Sequence, residues 1–191
     1  MEVENMNLEQ IIEEVNRDLD ESLESSEILG WINRCIGDLS SIAKKETKSV
    51  FEISTLNGYE LPEELLEMVL VLVNGMKFDT VPLTDSWSTG YKKWGMVLSL
   101  QNAPTEGQME VYYYKRLSYL EKLDDVPEIE EAFHDLFVLY TIAYNQFMEE
   151  ESDRQMDAIS RYNIRKAEFQ RFVMDNSFVH QAQRQIIDVW S

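Results

Sequence analysis

The chain has 191 residues, with 17 Lys+Arg against 36 Asp+Glu and a formal net charge of −19. That length suits one domain with a real core, and 44% hydrophobic with 11% aromatic residues argues against a disordered chain. Such a field repels nucleic-acid phosphates and anionic membranes, and Cys35, the only cysteine, leaves no internal disulfide or Cys-based zinc cluster. The acidic N-terminus does not read as a signal peptide, and the longest apolar run, Met68 to Val73, is far short of a membrane span. These features imply a water-soluble protein, compatible with a reducing compartment.

Leu8, Ile11, Ile12, Val15 and Leu19 predict a first amphipathic helix with Asn7 as N-cap, its other face carrying Glu9, Glu13, Glu14 and Asp18. Ser22 to Ser26 break the pattern. Ile28, Trp31, Ile32, Cys35, Ile36, Leu39 and Ile42 then predict a second helix up to Lys44-Lys45. Gly30 and Gly37 sit inside it, and close approach of another helix is one reason to tolerate them.

From Thr47 the period changes. Val50, Phe51 and Ile53 predict a short strand ending at the turn Asn57-Gly58. After Leu61-Pro62-Glu63-Glu64-Leu65, the run Leu66 to Val73 fits helix or strand on periodicity alone. Asn74-Gly75 marks a turn, Met76 to Val81 a strand, Pro82 to Gly90 a loop with Trp87, and Tyr91 to Leu100 a further strand. Ala103 to Gly107 turns into the Tyr-rich strand Glu110 to Lys115. A basic, aromatic loop and the acidic turn Asp124-Asp125 follow, with Pro127 at or just before the first turn of a long helix. Ile129, Phe133, Leu136, Phe137, Tyr140, Ala143, Tyr144 and Phe147 share one face of that helix. Glu149 to Asp153 is either a turn or the middle of a continuous helix. Ala158, Tyr162, Arg165, Phe169, Phe172 and Val173 mark the last helix.

The order of these features resembles the adaptor (head-to-tail connector, or neck) proteins of tailed bacteriophages. In that family a Tyr-Tyr-rich strand is followed by an acidic turn, a proline and a helix opening with an aromatic–His–Asp–Leu segment. Here those are Tyr112-Tyr113-Tyr114, Asp124-Asp125, Pro127 and Phe133-His134-Asp135-Leu136, while Glu130 stands where many members carry a second proline. Leu61 to Leu65 resembles the lead-in to the family's first central strand, and the spacing of Tyr162 and Phe169 is also similar. The resemblance covers Leu8 to Phe172 and is strongest from Val111 onward.

Few residues suggest chemistry. The histidines are His134 and His180, too few for a usual metal site, and adjacent His134 and Asp135 point to different helix faces. There is no Gly-x-Ser-x-Gly elbow, Gly-rich phosphate loop or Gly-Lys-Ser/Thr. The carboxylate pairs Glu13-Glu14, Glu63-Glu64, Asp124-Asp125 and Glu149-Glu150-Glu151 lie in turns or on solvated faces, whereas a catalytic pair needs one carboxyl raised by burial. Tyr112, Tyr113, Tyr114 and Tyr119 near Lys115, Arg116 and Lys122 suggest either core and interface packing or a base-stacking platform, and the net charge favours packing.

The expected fold is α+β and mainly helical: a bundle of about four α-helices with an inserted antiparallel β subdomain and an extended C-terminal tail. Residues 1–46 supply the N-terminal helices, 47–126 the β-rich insertion, 127–175 the long C-terminal helices and 176–191 a partner-docking tail. In that tail Phe178, Ile186, Ile187, Val189 and Trp190 are spread among amides, either packing back on their own domain or docking on a partner. The resemblance implies a structural virion protein, not an enzyme, with no catalytic residue, metal or cofactor. It implies a ring of copies, typically a dodecamer, joining the portal to a tail or nozzle protein and surrounding a DNA channel without sequence-specific binding. The tail would contact the portal, and the protein, made in the host cytoplasm, would reside in the virion neck. A DNA-mimicking acidic regulator and another neck or tail component, a stopper or tail terminator, are the alternative readings. An apolar tail and a β insertion suit the regulator poorly.

Overall fold

The computed structural model describes residues 6–19, 23–54, 58–145 and 153–176. The fold is α+β, with four α-helices and two antiparallel sheets among the described residues. It divides into two compact units: a helical one made of the chain up to Ala43 and from Leu117 onward, and a β unit, Lys44–Arg116.

In the helical unit, α1 (Leu8–Asp18) opens with a capping box in which Asn7 Oδ1 accepts from Gln10 N and Gln10 Oε1 from Asn7 N, both at 2.9 Å. Leu8 and Glu9 donate their amides to the carbonyls of Asp125 and Leu123, so further first-turn donors are satisfied by the loop before α3. α1 buries Leu8, Ile11, Ile12 and Val15, and α2 (Ser25–Ala43) buries Ile28, Ile32, Cys35, Ile36 and Leu39. Both helices follow their apolar spacing. Among the described residues no helix backbone closely approaches Gly30 or Gly37, contrary to expectation. A Cβ at Gly30 would meet nothing within 4 Å, and one at Gly37 only the Tyr119 hydroxyl at 3.8 Å.

The long helix expected from Ile129 begins later. Pro127 and Ile129 are buried in non-helical chain, a 3₁₀ turn spans Glu131–Phe133, and α3 runs Asp135–Asn145. Phe133 packs on the same core as Leu136 and Phe137, so a tight turn reproduced helical spacing without an α-helix. Among the residues of α4 (Asp153–Asn176) whose burial is described, Ala158, Tyr162 and Phe169 are the buried ones.

The β unit has a sheet ordered β1-β7-β3-β4 and another ordered β2-β6-β5. Its strands are β1 (Lys45–Glu52), β2 (Tyr59–Glu60), β3 (Leu65–Val73), β4 (Met76–Phe78), β5 (Gly90–Trp94), β6 (Val97–Gln101) and β7 (Gln108–Lys115). The ambiguous run after Leu65 is thus a strand. Its register with β7 pairs Val71 with Val111 and Val73 with Met109, and these side chains share a core with Tyr59, Leu98 and Leu100 of the other sheet. β1 is longer than expected, since all eight residues pair with β7 although Glu46, Lys48 and Glu52 face solvent and blur its apolar alternation. The single strand expected over Tyr91 to Leu100 is a hairpin: Trp94 pairs with Val97, and Gly95 turns the chain at φ +59°. At Asn74-Gly75 both residues have positive φ, the conformation such a two-residue hairpin needs.

Candidate functional site

The residue types that carry chemistry are placed for structure. His134 is buried, and its Nε2 lies 3.2 Å from the Ile129 carbonyl, bracing the chain ahead of α3. Burial lowers its pKa, outweighing the backbone of Ile129 and Met6 and the Glu131 and Asp135 carboxylates, so the ring is held towards neutrality. Asp135 turns instead to Arg165, at 2.8 Å. Cys35 is buried with Sγ 3.8 Å from the Leu136 carbonyl, and burial pushes its thiol well above the usual range, so it is no nucleophile. Among the described residues no group of three or more His, Cys, Asp and Glu could hold a metal ion.

The perturbed carboxylates are shifted the wrong way for a general acid. Burial raises Asp38, but hydrogen bonds from Lys166 and from the Tyr162 hydroxyl, at 2.6 Å, outweigh it and leave the pKa low. This cluster ties α4 to α2. The backbone N–H groups of Lys122 and Glu121 lower Asp125, and the Tyr112 hydroxyl lowers Glu110. A groove of about 390 Å³ is lined by residues of α1, α3 and α4 that include Asp18, Val138 and Leu139. Its Arg165 is already engaged by Asp135, Glu168 and the Ala132 carbonyl.

In the β unit the tyrosines form no stacking platform. Tyr113 and Tyr114 are buried, and Tyr112 donates to Glu110 at 2.6 Å beside Lys48. Exposed aromatic surface lies elsewhere. Trp87 is 90% exposed on a loop organised by Asp85, whose carboxylate accepts from the Ser88 hydroxyl (2.6 Å) and from the N–H groups of Trp87 (2.7 Å) and Ser88 (3.0 Å). The Ser88 hydroxyl first, then those N–H groups, bring the Asp85 pKa down to about 2. Asn102 Nδ2 donates to the Trp87 carbonyl at 2.7 Å, and Lys92 Nζ to the Asp85 carbonyl. A pinned backbone presenting a bare indole has little ordering entropy left to lose on contact. Trp94, with Met96 and Val97, forms a second exposed apolar tip at the β5–β6 hairpin. The loop was visible in the sequence as the setting of Trp87, and the Asp85–Ser88 turn is local to it, but the added donors from Lys92 and Asn102 were not legible there.

The charge is unevenly divided. Lys44–Arg116 holds eight Lys and Arg against ten Asp and Glu, a balance of −2, and the rest of the chain holds nine against 26, a balance of −17. The tail residues Phe178, Ile186, Ile187, Val189 and Trp190, and His180, lie outside the described residues.

The pinned, exposed Trp87 is the kind of surface that meets a partner, and comparison with known families agrees. The model of the SU10 adaptor protein family matches residues 6–185. The chain belongs to that family. It is a phage adaptor protein, and adaptors act by binding other virion proteins. The match spans both units and reaches Phe178, while Ile186, Ile187, Val189 and Trp190 fall beyond it. No curated protein matches the chain.

Proposed function

We propose that this adaptor assembles as a ring at the virion neck, joining the portal to a tail or nozzle protein, with the genome passing through the ring. The family match over residues 6–185 carries the reading. Copies related by rotation would meet through unlike surfaces, a heterologous contact that closes on itself. Segregation of nearly all the net charge into the helical unit suits a passage that repels a polyanion instead of gripping it. Residues 176–191 form the portal-docking tail, with Phe178, Ile186, Ile187, Val189 and Trp190 as apolar anchors. Catalysis and cofactors have no part in this role.

The test is solution mass by light scattering, for the full chain alone, mixed with the portal of the same genome, and after deletion of 176–191. The expected result is a many-copy complex with the portal that is lost on deletion. An unchanged single-chain mass in every mixture would overturn the reading, and inhibition of a DNA-processing enzyme would then favour a DNA mimic.

A further inference from the structure

The geometry points to one specific contact between neighbouring copies: the outward face of α4 on one copy against the loop Leu117–Val126 on the next. This rests on the ring reading. α4 turns Ala158, Tyr162 and Phe169 inward. Away from them lie Met156, Ser160, Asn163, Ala167, Gln170 and Met174, all exposed. These six alternate in steps of four and three residues, the spacing of a helix-packing seam, over about 27 Å of helix. None is charged, in a chain where 28% of residues are.

The occupant follows from what the same unit offers. Its exposed large hydrophobics, among the described residues, fall in two groups. One is on α4: Met156, Ile164, Phe172 and Met174. The other is on the loop: Tyr119, Leu123 and Val126. The loop is fixed in place, since Asn33 bonds both the N–H and the carbonyl of Leu120, at 2.9 and 3.0 Å, and Leu117 and Leu120 are buried. Charge selects the pairing. Asp153–Asn176 carries five Lys and Arg against four Asp and Glu, a balance of +1. The chain up to Ala43 is at −9, with two against 11, and 117–152 is also at −9, with one against ten. The loop group is flanked by the exposed acids Glu121 and Asp124 with Lys122 between them, and the α4 seam by exposed Arg171, with the exposed acids Asp157, Glu168 and Asp175 elsewhere on the helix. Among the described helices α4 alone has a positive balance, and since Lys166 and Arg165 pair with Asp38, Asp135 and Glu168 of their own copy, Arg171 is an outward cation that the acidic loop of a second copy attracts. The two groups are unlike, so their contact propagates head to tail and closes as a ring.

The test uses full-length chains mixed with portal, with mass read by light scattering. Arg171→Glu and Asp124→Lys are both at exposed positions, and unchanged melting curves check their folding. Each alone should shift the many-copy species to single-chain mass. An equimolar mixture of the two should restore it, because alternating copies then pair Glu with Lys at one contact and the native Arg with Asp at the next. Met174→Glu and Leu123→Glu should each also abolish assembly, with no rescue on mixing. If both single reversals still assemble, or if the charge-reversed pair fails to rescue, the α4–loop contact is wrong although the ring stands. If the wild-type chain never exceeds single-chain mass with portal, the ring reading itself fails.

Discussion

α4 is held to the helical unit by few side chains, so one substitution should loosen it selectively. Phe169 is 2% exposed, with its ring centroid 5.1 Å from that of Phe133. Phe169→Ala removes a buried aromatic and leaves a cavity, which costs about 3–5 kcal/mol. That is a large share of a domain's usual 5–15 kcal/mol. The remaining anchors are Ala158, Phe172 on Phe133, Tyr162 and Lys166 on Asp38, and the Arg165 pairs, and the ion pairs, being partly exposed, contribute little. The loss should therefore appear as local opening of α4 before global unfolding. Native-state hydrogen exchange reads this directly. Amides of α4 between Tyr162 and Phe172 should exchange about a hundredfold to a few thousandfold faster, since each 1.4 kcal/mol is a factor of ten. Amides in α2 should slow-exchange nearly as before. Equal acceleration in α2 and α4 would refute the reasoning, because α4 would then open only when the whole unit unfolds.

Other perturbations separate packing from contact. Gly30→Ala should stabilise the helical unit by about 0.8–1 kcal/mol in urea unfolding, since the new methyl meets nothing and helix propensity improves. Gly90→Ala should destabilise the β unit by about 1–3 kcal/mol, because its Cβ would stand 2.4 Å from the Asp79 carbonyl oxygen and 2.7 Å from Val81 Cγ1. Trp87→Ala should leave the melting temperature unchanged while weakening capture by the portal or tail protein at least tenfold, as loss of an aromatic anchor does. His134 should make stability fall in mild acid. Its folded pKa lies below the ordinary 6.5, so the unfolded chain takes the proton first. The stability is fully present above pH 6.5 and is lost as pH falls from there to the folded pKa, at up to about 1.4 kcal/mol per pH unit. His134→Gln should flatten that part of the curve.

The sequence was most legible where one local rule acted alone. Asn7 with Gln10 and the apolar spacing of α1 placed that helix, and Asn74-Gly75 placed a hairpin turn, because each signal needs no distant partner. It was least legible where distant partners decide. β1 is a strand because β7 lies beside it, not because Lys45 to Ser49 favour one. Ile129 and Phe133 imitate a helix because they pack on the α3 core from a turn. Gly95-Met96 closes a hairpin without a strong turn dipeptide, so Tyr91 to Leu100 read as one strand.

The interaction surfaces were hidden for a different reason. Ser160, Asn163, Ala167 and Gln170 look like an unremarkable polar helix surface until Tyr162 and Phe169 fix which way α4 faces. Only then does an uncharged stripe emerge on α4, the one helix with a positive balance among the described residues of an acidic unit. The total of −19 concealed this in the same way, since it averages a nearly neutral β unit with a helical unit at −17. Self-association of so acidic a unit requires a surface where like charges do not meet. α4 is the helix in that unit that supplies one, and this is why a charge reversal at Arg171 should matter more to assembly than one at Glu13 on α1.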